Sequence, residues 1–363
     1  MKAVIYPYDF EFISTLKYRS ILKDIEIVYL LSPMGFGIVG KDGYYLQNEQ
    51  SGYVIKSELN DDEYAEIDTL LITESIFKLP DADRMGELEK MLSNCSYAIN
   101  MAYGNDFSKA VEELCQEKNV KLINNFNLVG NQKAISLSSV GVASERNRIN
   151  TPIIAVCGLA PMTQKFDLQL YFRNHLLHNG FKVSQIGTKL NSQLFGFHTW
   201  GEALYDNTFP ETEKIARINQ FIKDIEAEEK PDVFIIGIPD ALVPYTHKHT
   251  FRYGIPAFEI FNAVTPDFAI MSLFNGEYTD EFYEEMVKLC NYKFNIDIDC
   301  FYNSHFVPVS LSINANDLSY SFAERETATE GKYQVFNSEC LENKELYDYM
   351  IGCLQQYGQF KSY

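Results

Sequence analysis

A lysine at the end of a glycine-opened loop is the feature of this sequence best suited to binding phosphate. The segment GLAPMTQKF (158–166) lies between an apolar run, residues 153–157, and a helical pattern. Phosphate-binding loops occupy this place because their backbone N–H groups and the helix N-terminus face the anion. The candidate anion-binding residues are Gly158, which opens the loop, Thr163, Gln164, and Lys165, which would supply the positive charge.

Two positions in this loop depart from the pattern of a nucleotide-hydrolysing site. That pattern has a glycine directly before the lysine, so that the loop wraps the phosphates, and a Ser or Thr directly after it, whose hydroxyl binds Mg²⁺. Here Gln164 replaces the glycine and Phe166 replaces the hydroxyl. A nucleotide or another anion could still bind at the helix N-terminus. The sequence argues against hydrolysis by the standard P-loop route, and leaves open whether the protein is an enzyme.

Asp240 is a further candidate because it follows the apolar run IIGIP (235–239). In P-loop enzymes an acidic residue near this point holds the metal or its water. An aspartate after a proline also suits a turn, and the turn-forming role is the one we favour. Asp240 stays a candidate for the site.

The motif GFGIVG (35–40) matches the G-x-G-x-x-G pattern of dinucleotide-binding proteins. That pattern requires a helix to begin inside the motif. Here KDGYY (41–45) follows and predicts a turn, and the motif comes after the second predicted strand. We interpret it as a glycine-rich loop at a strand end, where a ligand could still bind. Its candidate residues are Gly35, Gly37, Gly40 and Lys41.

His198 is the histidine with the best claim to a site. It lies in FGFHTW (195–200), beyond a predicted strand end and next to the single Trp of the chain. A loop histidine at that edge could act in a site, and its aromatic neighbours would equally suit packing between domains. The remaining histidines lack an evident third ligand, so no metal site is predicted.

Strand and helix patterns alternate over residues 1–128. Strands are predicted over 2–6, 26–31, 68–73, 97–101 and 120–123, with helices over 13–22, 84–92 and 107–117. Helices between strands call for parallel crossovers, which predicts a Rossmann- or flavodoxin-like domain. Small and polar residues over 129–150 then predict a linker.

The alternation resumes over residues 151–330. Strands are predicted over 153–157, 182–187, 232–238, 257–260 and 268–273, and helices over 165–179, 211–229 and 281–289. This segment is interpreted as a degenerate P-loop-like α/β domain, and residues 331–363 as a C-terminal tail with an amphipathic helix. The predicted class is therefore α/β, with two Rossmann-like or P-loop-like domains and mainly parallel sheets.

Charge and length exclude several classes of protein. A chain of 363 residues favours two domains. The 50 acidic residues outnumber the 31 basic ones, which argues against nucleic acid as a partner and against an anionic membrane surface. The net charge of −19 suits solubility through self-repulsion, or docking of a basic partner.

Targeting signals and cysteine patterns point to the cytoplasm. No apolar run is long enough to cross a bilayer, and MKAVIY (1–6) begins a strand instead of a signal peptide. We therefore expect a cytoplasmic protein without membrane insertion. Seven dispersed cysteines without a C-x-x-C pair match neither a disulfide framework nor a metal signature.

Several long blocks of this chain resemble the clostridial peptide maturation system family. The blocks are YRSILKDIEIVYLLSPMGFGIVGKD (18–42), TES (73–75), VSQIG (183–187), LFGFHTW (194–200), EEKPDVFIIGIPDALVP (228–244) and YGIPAFEIFNAVTPDFAIMSL (253–273). Members of that family are encoded beside radical SAM maturases and small precursors of ribosomally made, modified peptides. The resemblance implies an accessory protein whose partners are the precursor peptide, the radical SAM maturase, or both. The alternative is a nucleotide-dependent enzyme acting on the peptide.

The second domain is also similar, more distantly, to P-loop proteins of the dethiobiotin-synthetase type. In those proteins the loop glycine lies seven residues before the lysine, as Gly158 does before Lys165. They carry an acidic residue before the glycine of a V-E-G-x-G strand end, where this chain has Ile236 before Gly237. That departure argues further against nucleotide turnover.

Overall fold

Strands that alternate with helices form two separate parallel sheets. The computed structural model describes residues 1–46, 49–102, 104–124, 135–141, 146–200, 203–309, 319–323 and 331–357. The chain divides into a first unit, Met1–Lys133 with Lys189–Phe197, and a second unit, Ala134–Thr188 with His198–Tyr363. Each unit has one parallel sheet with helices between its strands, which confirms the predicted α/β class with mainly parallel sheets.

The first unit contains a six-stranded sheet. Its strands are β1 (Lys2–Tyr6), β2 (Glu26–Leu31), β3 (Ile55–Lys56), β4 (Thr69–Ile72), β5 (Tyr97–Asn100) and β6 (Lys121–Asn124). Their order across the sheet is β3-β2-β1-β4-β5-β6, the 3-2-1-4-5-6 order of the Rossmann fold. Strands β2 and β3 lie on one side of β1, and β4, which follows them in the chain, pairs with the other side of β1. The topological switch point therefore lies between β1 and β4.

In the described part of this unit, four α-helices accompany the strands. They are α1 (Ile13–Lys17), α2 (Asp61–Tyr64), α3 (Asp81–Leu92) and α4 (Asn105–Glu117). Helix α3 buries Leu88, Met91 and Leu92, whose spacing places them on one face, and they join the core that contains the fully buried strand β4. Burial on both sides explains why β4 is a continuous apolar run and not an alternating one.

The second unit contains the larger sheet. In chain order its described strands are β7 (Ile153–Gly158), β8 (Val183–Gly187), β9 (His198–Thr199), β10 (Val233–Gly237), β11 (Phe268–Leu273), β12 (Cys300–Asn303), β13 (Phe306–Val309), β14 (Ser319–Phe322) and β15 (Val335–Asn337). Seven of them form a parallel sheet in the order β15-β12-β11-β7-β10-β8-β9, and β13 pairs antiparallel with β14.

The central strand of this sheet is β7, all of whose residues are buried. The chain passes from β7 to β8 and β10 on one side before β11 pairs on the other, so the loop after β7 lies at the switch point. The described helices of this unit are α5 (Lys165–His178), α6 (Glu211–Glu229), α7 (Ile255–Ala263), α8 (Asp280–Phe294) and α9 (Glu345–Tyr357). Within the described ranges, no helix has the length and apolar character needed to span a membrane.

The strand predicted over residues 257–260 is wrong, because this segment lies inside α7. Pro256 stands in the first turn of the helix, where its missing N–H is tolerated. Ala257, Ile260 and Phe261 are all buried. A short apolar run without a polar face has the same appearance in a buried helix and in a buried strand.

The structure differs from the predicted domain limits at three places. The described part of the predicted linker contributes Ile135 and Leu137 to the core of the second unit, while residues 129–134 and 142–145 lie outside the described residues. Residues 189–197 belong to the first unit, although they fall within the predicted 151–330 domain. The predicted helical tail, 331–363, also supplies the strand β15 to the sheet.

Candidate functional site

The loop between β7 and α5 joins the end of a buried strand to the N-terminus of a helix, the place in an α/β fold where phosphate-binding loops lie. Lys165 is the first residue of α5, and Gln164 caps the helix in the left-handed conformation with φ 60° and ψ 26°. Glycine adopts that conformation without strain, whereas another residue there costs about 1–2 kcal/mol. Gln164 is held in it because its Oε1 accepts a hydrogen bond of 2.6 Å from the His305 N–H. Gln164 therefore adopts the left-handed conformation that favours the glycine found at this position in the P-loop pattern.

Gly158 is required by close packing at the start of the loop. A Cβ atom at this position would lie 2.6 Å from Thr163 Oγ1, 2.9 Å from Lys165 Cδ and 3.2 Å from the Ser272 carbonyl oxygen. The Thr163 hydroxyl is buried and donates to the Ala160 carbonyl at 3.2 Å. The Ser272 hydroxyl, at the end of β11, donates to the Thr163 carbonyl. These contacts fix the loop against the end of β11.

The Lys165 side chain connects this loop to the end of β10. Its Nζ donates to the Ala160 carbonyl at 3.2 Å and to the Asp240 carbonyl. Both acceptors are neutral backbone groups. A phosphate or carboxylate oxygen is a stronger acceptor for an ammonium group than a carbonyl, because the bond is then charge-assisted on both sides.

Phe166 follows the lysine and is only 5% exposed. It occupies the position at which a hydrolytic P-loop carries its magnesium-binding hydroxyl. An aromatic ring offers no oxygen to a metal, so the structure places a core side chain where the catalytic pattern needs a ligand.

Asp240 lies beside Lys165, as the sequence allowed, and it belongs to a cluster that the sequence did not predict. Its Oδ2 is enclosed without a hydrogen-bond partner among the described residues. Loss of hydration raises the pKa of this carboxyl, although the nearby charges of Lys165 and Arg252 act in the opposite direction. The Arg252 guanidinium lies 4.6 Å from the Tyr205 ring centroid. Its Nη1 has no hydrogen-bond acceptor in the part of the chain that the structure describes.

Arg252 is presented by an unusual backbone segment. Phe251, Arg252, Tyr253 and Gly254 have φ values of 42°, 54°, 56° and 73°, all in the left-handed region. Three of the four are not glycine, and each costs on the order of 1–2 kcal/mol. Strained segments of this kind concentrate at functional sites, where the surrounding structure holds them. The only sequence signal was Gly254, which predicts a turn and no more.

Replacing Gly254 by alanine is expected to destabilise the second unit. A Cβ there would lie 2.3 Å from the Leu242 carbonyl oxygen, and the φ of 73° adds strain. We expect a loss clearly above the roughly 1–2 kcal/mol of the left-handed conformation alone, measured by urea unfolding. Gly180→Ala is the matched control, because Gly180 has φ 81° with no atom near the added Cβ. Equal losses in the two variants would contradict the steric argument.

His198 does not lie in a loop, which corrects the prediction from the sequence. It stands in β9, opposite Ile186 of β8, and is 2% exposed. Its Nε2 lies 3.0 Å from Glu229 Oε1, and the Ser184 hydroxyl donates to the same carboxylate. Burial opposes ionisation of Glu229, but these hydrogen bonds outweigh it and lower the pKa. His198 is therefore part of a buried polar network away from Lys165.

The glycine-rich segment 35–40 lies in the first unit and ends in a turn that is hydrogen-bonded to β3. Gly37 and Gly40 have φ values of 68° and 85°, which glycine adopts without strain. The Gly40 N–H donates to the Ile55 carbonyl at 2.8 Å, and the Lys41 carbonyl accepts from the Ile55 N–H at 2.9 Å. Gly35 belongs to a short 3₁₀ turn. No helix begins inside the motif, so it lacks the geometry that a dinucleotide fingerprint needs.

The comparisons with known proteins bear on the fold. No family model and no curated protein matches this chain. Among solved structures, a DUF1611 family protein from Anabaena variabilis matches with a TM-score of 0.54 and 10% identity, over 83% of this chain and 87% of that one. An ADP-bound nucleotide-binding protein from Archaeoglobus fulgidus matches with a TM-score of 0.31 and 14% identity, over 58% and 92% of the two chains. This protein and the DUF1611 family protein thus share an α/β fold over most of their lengths.

Proposed function

We propose that this protein is a non-hydrolysing recognition protein that binds an anionic group at the loop 158–165. One observation carries the proposal: Lys165 is held at a phosphate-loop position while the buried Phe166 occupies the place of the magnesium ligand. Binding of an anion needs the lysine and the helix N-terminus. Hydrolysis needs the metal as well. This loop has the lysine and the helix N-terminus that anion binding needs. It lacks the hydroxyl that would hold the metal needed for hydrolysis.

The biological setting we propose is the maturation of ribosomally made, modified peptides. It rests on the resemblance of the sequence blocks given above to the clostridial peptide maturation system family. In that setting the protein is an accessory factor that binds the precursor peptide, the radical SAM maturase, or both.

A peptide-binding role is supported by exposed apolar side chains beside Arg252. Tyr253, Ile255 and Phe258 follow it in the chain and are 59%, 42% and 40% exposed, and Tyr205, which contacts its guanidinium, is 50% exposed. Clustered exposed apolar residues mark surfaces that bind other proteins or peptides. Isothermal titration with purified precursor and purified maturase tests the role. We expect binding of at least one of them, weakened by Tyr253→Ala; absence of heat with both partners at near-millimolar concentration contradicts it.

The second candidate is an enzyme that uses a nucleotide to activate the peptide. It is favoured by the left-handed conformation of Gln164, which preserves the course of a P-loop, and by Arg252, which supplies a second positive charge near Lys165. The test is release of phosphate from ATP in the presence of the precursor peptide and Mg²⁺. Turnover that depends on the peptide would replace the recognition role with this one.

A further inference from the structure

A cleft in the first unit lies at the topological switch point of its sheet. The space within it that a water-sized group can occupy is about 20 Å³, and a volume of about 320 Å³ counts the open mouth as well. Its walls come from the segments that follow β1, β4 and β5 and from the residues 189–197. The polar residues among them include Asp9, Glu11, Thr73, Glu74, Lys189 and Asn191. In open parallel sheets, ligands bind in the crevice at the carboxyl ends of the strands where the strand order reverses. The cleft occupies that position.

The floor of the cleft is fixed by buried polar contacts. Asp9 is 5% exposed, and its Oδ2 accepts hydrogen bonds from the Ser75 hydroxyl and the Lys78 ammonium, both at 2.6 Å. The Thr73 hydroxyl donates to the Pro7 carbonyl at 2.6 Å. Since these groups satisfy one another, they hold the walls in place before any ligand arrives.

The wall contains a buried polar atom that has no hydrogen-bond partner among the described residues. Asn191 is 9% exposed, and its Nδ2 donates to Thr15 Oγ1 at 3.1 Å. Its Oδ1 receives no hydrogen bond from the residues that the structure describes. A buried acceptor left in this state costs free energy, which a ligand that donates a hydrogen bond would recover.

The charges of the cleft exclude a nucleotide and favour a cation. The segment after β1 has no glycine and instead brings Asp9 and Glu11, and Glu74 follows β4. Lys78 is engaged by Asp9 and by Glu11, at 2.6 and 2.7 Å. Three carboxyl groups thus face two ammonium groups, those of Lys78 and Lys189, which leaves one negative charge in excess. This excess negative charge would repel a pyrophosphate, and it would be balanced by one positive charge on a ligand.

The pKa values of two acidic residues in the cleft, Glu11 and Glu74, are shifted in opposite directions. Burial opposes ionisation of Glu11, but Lys189 and Lys78 outweigh it and lower its pKa. Glu74 is exposed at the rim, yet partial loss of hydration inside the cleft raises the pKa of its carboxyl. Glu11 adds to that rise, while Lys189 and Lys78 act against it. An ammonium group beside Glu74 would stabilise its ionised form.

We infer that this cleft binds a primary ammonium group, with Glu74 and Asn191 accepting its hydrogen bonds. The ammonium can belong to a small free amine or to the N-terminus of a peptide, since both present the same chemistry. This site is separate from the loop 158–165 and does not depend on the function proposed for that loop.

Saturation-transfer NMR on the full chain tests the inference with four probes: glycinamide, N-acetylglycinamide, triglycine and N-acetyltriglycine. We expect glycinamide to bind and its acetylated form not to bind. Binding of triglycine as well assigns the site to a peptide terminus, and its failure assigns the site to a small amine. Equal binding of the acetylated and free forms, or no binding of either free amine, overturns the inference.

Variants locate the binding within the cleft. Glu74→Gln and Asn191→Leu are each expected to weaken glycinamide binding about tenfold, the scale of a hydrogen bond to a charged group. Glu113→Gln, at an exposed position on α4, is the matched control and should leave binding unchanged. Glu74 is at the rim, so its variant tests the site even if Asn191→Leu does not fold. Unchanged affinity in Glu74→Gln overturns the assignment.

The pH dependence of glycinamide binding gives a second readout. Because the pKa of Glu74 is raised, its carboxyl takes up a proton at a higher pH than an ordinary glutamate. Protonation removes its attraction for the ammonium group, so affinity should fall as the pH is lowered from neutral into the acidic range. In Glu74→Gln this fall should be smaller. An affinity that rises on acidification contradicts the role given to Glu74.

Discussion

The free energy of unfolding of the second unit is expected to fall by about 3–5 kcal/mol when Lys214 is replaced by methionine. Lys214 on α6 and Glu259 on α7 form an ion pair of 2.8 Å, and their side chains are 4% and 1% exposed. Methionine keeps the volume of the lysine but leaves the glutamate charge buried without its partner. Glu259 Oε2 already has no hydrogen bond from the described residues, so little remains to compensate that charge. Urea unfolding followed by circular dichroism measures the change.

Two further variants separate burial of charge from loss of packing. The double variant Lys214→Met with Glu259→Met should recover most of the lost stability, because a buried ion pair replaced by apolar residues of similar size is often neutral or stabilising. Lys288→Met is the matched control, since Lys288 pairs with Glu284 on the surface of α8 with side chains 59% and 45% exposed. Surface pairs contribute at most about 1 kcal/mol. A double variant no more stable than the single one would contradict the argument.

The class of the fold could be predicted from the sequence because the alternation of strands and helices is regular. The sequence could not decide between a Rossmann-like and a flavodoxin-like strand order for the first unit. If the two-residue strand β3 is left out, the order of the remaining strands is 2-1-3-4-5, that of flavodoxin; with β3 the order is that of the Rossmann fold. A strand of two residues, Ile55–Lys56, carries no detectable periodicity. Its pairing with β2 is decided by tertiary contacts.

The loop 158–165 was recognised in the sequence as a candidate anion site, but the residues around it were not. Gly158 and Lys165 have fixed places in a strand–loop–helix pattern, and the structure brings them together with Thr163, Gln164 and Asp240. Arg252 carries no such pattern, because its approach to Asp240 depends on a left-handed segment that three non-glycine residues adopt. Local propensity argues against that conformation, so only the packing of the whole unit can produce it.

His198 is the opposite case, a residue that the sequence suggested as a site candidate and that the structure places in a buried strand. Its aromatic neighbours and its position after a predicted strand suggested a loop site, whereas the residue is a buried partner of Glu229. A histidine at a sheet edge and a histidine in a loop look the same when the edge strand is only two residues long, as β9 is.

Replacement of Lys165 by alanine is expected to weaken binding of inorganic phosphate and of ATP by a factor of roughly 10–100, the scale of one hydrogen bond between charged groups. The variant removes the ammonium group and leaves the helix N-terminus, so weak binding should persist. Isothermal titration measures the affinities, and protection against thermal unfolding by the same anions gives an independent readout. Lys182→Ala is the matched control. Lys182 is exposed and precedes β8, so it lies at the amino ends of the parallel strands, whereas the loop 158–165 lies at their carboxyl ends. A loss shared by both variants would show a general charge effect and not a site.

Magnesium then separates recognition from catalysis at this same loop. Because Phe166 supplies no hydroxyl, we expect ATP to bind the wild-type protein equally well with Mg²⁺ and with a chelator. A hydrolytic P-loop behaves differently, since its metal bridges the β- and γ-phosphates and is held by protein oxygens. If Mg²⁺ strengthens ATP binding tenfold or more and Lys165→Ala abolishes that gain, some other oxygen near the loop holds the metal. The carboxyl of Asp240, beside Lys165 and without a partner among the described residues, would then be the residue to replace next.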